Sequence, residues 1–85
     1  MALYLIERNF AQELQVTDEA GAAIKEVNAE LGVNWLFSFL SADKKKTYCL
    51  YEAPNAELIR EAARRNNLPA DVIIPVSELR AEAFR

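Results

Sequence analysis

The order of hydrophobic periodicities constrains this chain more than any other feature. Residues 2–8, 33–41, 46–53 and 71–77 alternate or run apolar with the two-residue period of strands. Two segments between them carry apolar residues at helical spacing. The first helix is predicted over 17–31, with Thr17 as N-cap, Asp18 and Glu19 at the positive end, and a stripe of Ala20, Ala23, Ile24, Val27 and Leu31. Gly21 inside it costs about 1 kcal/mol relative to Ala, so either a close neighbour needs it or the helix begins later. Gly32 is a stop signal. The second helix is predicted from Asn55 to Asn66, after Pro54, burying Leu58, Ile59, Ala62 and Ala63, with Glu61 and Arg65 as an i,i+4 pair. Pro75 demotes the last strand to an edge. Residues 42–45 form a charged hairpin turn, and residues 9–16 are irregular or partly helical, with Phe10 and Leu14 one turn apart.

The order is therefore β-α-β-β-α-β. Right-handed crossovers turn it into one four-stranded antiparallel sheet, order 4-1-3-2, with both helices on one face. That is a ferredoxin-like α+β sandwich. Residues 1–78 make one domain and residues 79–85 a short tail of helical composition. Glu7 should lie opposite Tyr48, and Glu52 opposite Leu3.

Helices cover only one face, yet the first three strands carry large apolar residues on both. Trp35, Phe37 and Phe39 alternate with Leu36, Ser38 and Leu40. A solvated face should read polar. The uncovered face therefore predicts a homodimer, two sheets facing each other as a dimeric α+β barrel. Strand parity leaves open which face meets the helices. Size argues the same way: a domain of 85 residues buries only roughly 60–65% of its unfolded surface.

There is no histidine, and one cysteine, Cys49. Those counts exclude a Ser-His-Asp triad, a Cys-His pair, imidazole metal sites, CxxC chemistry and an intramolecular disulfide. Net charge is -3, so no nucleic-acid partner is expected. Lys44, Lys45 and Lys46 read as a solvated turn. Met1 to Ile6 is too short for a signal peptide's apolar region and is followed by Glu7 and Arg8. No apolar run approaches 18 residues, so no membrane association is expected. The expectation is a cytoplasmic protein.

Candidate chemistry is sparse. Cys49 is the only thiol, and its plain account is a small buried hydrophobe. Glu7 and Glu52 end apolar strands, but about four residues, roughly 13 Å, separate them within one subunit. The available metal ligands are Glu7, Glu52 and Cys49, and any strong site would straddle a dimer. Glu7, Tyr48, Tyr51 and Trp35 are the candidate ligand-binding residues, against their ordinary roles in packing. Ser38 has no base to activate it, and no residue is predicted to be catalytic.

Tyr4-Leu5-Ile6-Glu7-Arg8-x-Phe10, Trp35-x-x-Ser38-Phe39 and Tyr48-Cys49-Leu50-Tyr51-Glu52-Ala53-Pro54 resemble blocks of a family of small bacterial proteins. Ile59-Arg60-x-x-Ala63 and Asn67-Leu68-Pro69-Ala70-Asp71-x-Ile73 are similar as well. The family is catalogued as a domain of unknown function, and its described members are nickel-binding, nickel-responsive and ferredoxin-like. The resemblance covers nearly the whole chain, and its third block is moderately specific. It implies the fold, a homodimer and metal binding. Members commonly carry a histidine before the serine of the second strand; Phe37 stands there in this chain. The leading expectation is a small, non-catalytic, dimeric ligand- or metal-binding protein, with its cofactor unidentified and, through the resemblance, a regulatory or stress-related role. The alternative is a cofactor-free monooxygenase or isomerase of the dimeric barrel kind, with Tyr48 or Glu7 as its acid–base group. A third reading is an adaptor domain with no ligand.

Overall fold

The computed structural model describes residues 1–84. Strand β1 (Ala2–Asn9) is followed by helix α1 (Asp18–Glu30), the hairpin β2 (Asn34–Leu40) and β3 (Lys46–Ala53), helix α2 (Ala56–Arg65) and strand β4 (Val72–Val76). The sheet order is β2-β3-β1-β4, antiparallel throughout. This is the ferredoxin-like arrangement that the periodicities predict. The tail contains one 3-10 turn, Ala81–Ala83, in place of a longer helix; Arg85 lies outside the described residues.

Both helices start where their caps place them. The Thr17 hydroxyl accepts from the Ala20 amide at 3.1 Å, and Asn55 Oδ1 accepts from Leu58 at 3.0 Å. Each cap is worth ~1 kcal/mol. Helix α2 buries Ile59, Ala62 and Ala63, as its pattern requires, and the fourth residue of that stripe, Leu58, is partly buried against the core. Helix α1 differs from expectation. Ala20 and Ala23 are exposed, and the sheet-facing side runs through Gly21, Ile24, Val27 and Leu31 with Asn28, the one fully buried residue of the helix. The alanines misled because a small apolar side chain sits as readily in solvent as in a core. Gly21 serves no close approach: a Cβ there would meet only Val16 Cγ1, at 3.9 Å. Arg65 reaches across to Glu30 of α1 at 2.5 Å, and Glu61 pairs with Arg64 instead.

The core, on the helix side of the sheet, gathers Ile6, Val33, Cys49, Tyr51, Ala53 and Ile59. Ile6 and Ile59 are completely buried, each stabilising by about 1.5–3 kcal/mol. The loop between β1 and α1 is not helical. Its backbone hangs on the β2–β3 hairpin, Phe10 N donating to Lys45 O at 2.8 Å and Leu14 N to Lys44 O at 2.7 Å.

Candidate functional site

Strand register sorts the candidate residues by face. On the covered face, Trp35 pairs with Tyr51, which pairs with Tyr4 and then Pro75. The next row is Ser38, Cys49, Ile6 and Ile73, and the third is Leu40, Thr47 and Arg8. On the open face the rows are Asn34, Glu52, Leu3, Val76; then Phe37, Leu50, Leu5, Ile74; then Phe39, Tyr48, Glu7, Val72.

A β-bulge at Leu36, between Trp35 and Phe37, sets this division. Unbroken alternation would keep Trp35, Phe37 and Phe39 on one side. The extra residue instead sends Trp35 inward with Ser38, whose Oγ accepts from its indole Nε1 at 2.9 Å, and leaves Phe37 and Phe39 outward. The aromatic stripe predicted from alternation is therefore split between the two faces.

The predicted ligand-binding set divides likewise. Glu7 and Tyr48 are register partners on the open face, where Lys46 Nζ lies 3.6 Å from Glu7 and 5.7 Å from the Tyr48 ring centroid. Trp35 and Tyr51 are register partners on the covered face, their rings near-parallel with centroids 6.4 Å apart. The predicted metal ligands do not converge within one subunit. Glu7 and Glu52 stand opposite Tyr48 and Leu3, as the register reading requires. Glu52 accepts from Asn34 Nδ2 at 3.1 Å. Cys49 is buried on the other face, with Thr47 Oγ1 at 3.5 Å from its sulfur.

A cavity of about 170 Å³ opens on the helix side of the sheet. Its floor is Trp35, Cys49, Thr47 and Tyr51; Ile24 of α1, the loop residues Phe10, Leu14 and Val16, and Leu68 after α2 form its walls. Arg8 lines it too, although only 4% of that residue is exposed. Its Nη1 donates to the Pro69 carbonyl at 2.6 Å, its Nη2 contacts the Tyr51 hydroxyl at 3.5 Å, and its Cζ lies 5.7 Å from the Tyr51 ring centroid. Burial pushes the Tyr51 phenol above its ordinary value, with the Arg8 charge acting against that rise. Arg8 is the site residue that sequence reasoning missed. Its signal was parity: Tyr4, Ile6 and Arg8 share a face, so a buried Ile6 brings Arg8 inward.

These features define a small ferredoxin-like α+β protein with a pocket under its first helix and an apolar open sheet face. The chain belongs to the SCO4226-like nickel-responsive protein family, whose model matches residues 4–76. The crystal structure of SCO4226 from Streptomyces coelicolor A3(2) is similar in fold, with a TM-score of 0.73 over 91% of this chain and 100% of that one, at 23% identity. No curated protein matches the chain.

The residues present do not fit a nickel centre within one subunit. Nickel favours nitrogen ligands, and the chain has no histidine. Among the described residues, no three of His, Cys, Asp and Glu come together closely enough to hold an ion.

Proposed function

We propose that this chain is a small, non-catalytic, homodimeric ligand-binding protein that works in the cytoplasm. Its ligand enters the pocket under α1, and its second copy covers the open sheet face. The pocket carries this reading: a cavity of about 170 Å³ between the aromatic pair Trp35–Tyr51 and a loop whose backbone bonds to the β2–β3 hairpin. Most walls are apolar, which suits a small organic molecule. Among the described residues, neither the Ser38 hydroxyl nor the Cys49 thiol, both in the pocket lining, has a base beside it: Ser38 Oγ accepts from Trp35, and the Cys49 sulfur meets the Thr47 hydroxyl. That favours binding over covalent chemistry.

Dimerisation is supported by the open face. Its central row of Phe37, Leu50, Leu5 and Ile74 is wholly apolar, with Phe37 50% exposed and neighbouring Phe39 66% exposed. Glu7, Lys46 and Glu52 sit in its outer rows, where a two-fold axis lets acid and base of opposing copies meet.

The tests are separate for each half. Light scattering at micromolar concentration should return twice the 9.6 kDa chain mass; a stable monomer overturns the dimer. Small aromatic probes should change Trp35 emission saturably. A response to none of toluene, benzyl alcohol and benzoate overturns the pocket reading. The family's response is carried here by a ligand other than nickel, so calorimetry on tag-free protein should give a nickel affinity no tighter than ~0.1 mM, about 5.5 kcal/mol. Micromolar nickel binding that disappears in Glu7→Gln or Cys49→Ser would reverse that conclusion.

A further inference from the structure

We propose that the pocket ligand is a small carboxylate with an apolar body, anchored by the Arg8 guanidinium. This rests on the reading of the cavity as a binding site and names what it selects. A guanidinium keeps its charge at any physiological pH. Arg8 is 4% exposed, and among the described residues no carboxylate lies within ion-pair distance of it; the five ion pairs use Lys46, Arg60, Arg64, Arg65 and Arg80.

The two protein groups that accept from Arg8, the Pro69 carbonyl and the Tyr51 hydroxyl, are both neutral, and they engage two of its five N–H donors. Burial keeps the Tyr51 phenol protonated, so it supplies no counter-charge. A buried cation without an anion is costly, and an arriving carboxylate removes that cost.

The rest of the pocket fixes the ligand's other features. Among the described residues, no acidic one lines it, and Arg8 is its one cation. A single charge of this kind suits a monocarboxylate better than a phosphate. Phe10, Leu14, Val16, Ile24 and Leu68 give apolar walls. A cavity of roughly 150 Å³ accommodates benzene, so about 170 Å³ suits a body of benzoate size, with its carboxylate at the Arg8 end and its ring against Trp35.

A purely structural Arg8, tying down the Pro69 carbonyl and covering the Tyr51 ring, implies no preference for charge. Matched probes separate the two accounts. Benzoate and benzyl alcohol are titrated at pH 7 by calorimetry and by emission of Trp35, the only tryptophan. Benzoate should bind roughly 10- to 100-fold tighter than benzyl alcohol, as expected of a charge-assisted hydrogen bond. In Arg8→Met the preference should invert, benzyl alcohol binding at least as well as before. Equal affinity of the unsubstituted protein for both probes overturns the carboxylate proposal and leaves the pocket reading intact. Binding of neither overturns the carboxylate proposal, and failure of toluene as well overturns the pocket reading. Should Arg8→Met fail to fold, the two probes on the unsubstituted protein decide the matter alone.

Discussion

The two faces of the one sheet reverse the usual division between inside and outside. The covered face carries Arg8, Thr47, Ser38 and Cys49 among its aromatics, while the open face carries Phe37, Leu50, Leu5 and Ile74 across its centre. Polar groups in a covered layer weaken a core and suit a site. Apolar groups in an open layer expose a monomer to association. The difference teaches that α1 and the 10–16 loop roof a pocket as much as they seal a core, and that a strongly apolar surface lies on the open face.

A charge at the centre of the open face tests this division most severely. In Phe37→Asp the dimer dissociation constant should rise at least ~1000-fold, about 4 kcal/mol. Sedimentation equilibrium reads the change directly. Unaltered dimer mass would show that the open face is not the interface. On the covered face, Ile6→Ala should lower unfolding stability by about 3 kcal/mol, because Ile6 is completely buried. Denaturant titration at two protein concentrations distinguishes the faces: the Ile6 loss should be the same at both, and the Phe37 loss should not.

A smaller effect concerns the roof. Gly21 of α1 has ordinary helical backbone and free space at its Cβ position. Gly21→Ala should therefore stabilise by roughly 0.5–1 kcal/mol, partly by restricting the unfolded chain. A loss of stability in thermal melts would mean that α1 packs more closely on the 10–16 loop than a 3.9 Å approach to Val16 allows.

Much of the fold was legible because local signals and global topology agree. Thr17 and Asn55 cap the helices they were expected to cap, and Pro75 lies on an edge strand. Even the register could be read, since the cap at Asn55 fixes where β3 ends against β1. The site was much less legible. One inserted residue at Leu36 moves Trp35 to the opposite side from Phe37, and nothing in the largely apolar stretch Asn34–Leu40 marks it. Arg8 was passed over because a charged residue at a strand end ordinarily points to solvent, and its burial depends on Pro69, 61 residues away. Helix α1 shows the limit of stripe reading: Ala20 and Ala23 of the expected stripe are exposed while Asn28 is buried beside Ile24, Val27 and Leu31, and its side-chain amide has no hydrogen-bond partner among the described residues.

The smallest effect falls on the hairpin that carries the pocket's outer wall. Asp43 accepts from the Ser41 hydroxyl at 2.6 Å and from the Lys45 amide at 3.0 Å, and Lys44 beside it takes a left-handed φ of 61°. The Ser41 hydrogen bond, then the Lys45 amide, hold the Asp43 carboxyl below its ordinary 3.8. The sign follows from linkage: a group depressed in the folded state stabilises fully above its unfolded value and loses that contribution as pH falls through the lower folded value. The window therefore lies below about pH 4. The same turn offers the Lys44 and Lys45 carbonyls to Leu14 and Phe10, so loosening it frees the loop over the cavity while the open face keeps its contacts. On acidification, Trp35 emission should change before the dimer mass does. In Asp43→Asn, which cannot ionise, the melting temperature should start lower and the gap to the unsubstituted protein should close as pH falls below 4. A gap that stays constant would mean that the turn is held by its backbone alone, and that the two faces respond to acid together.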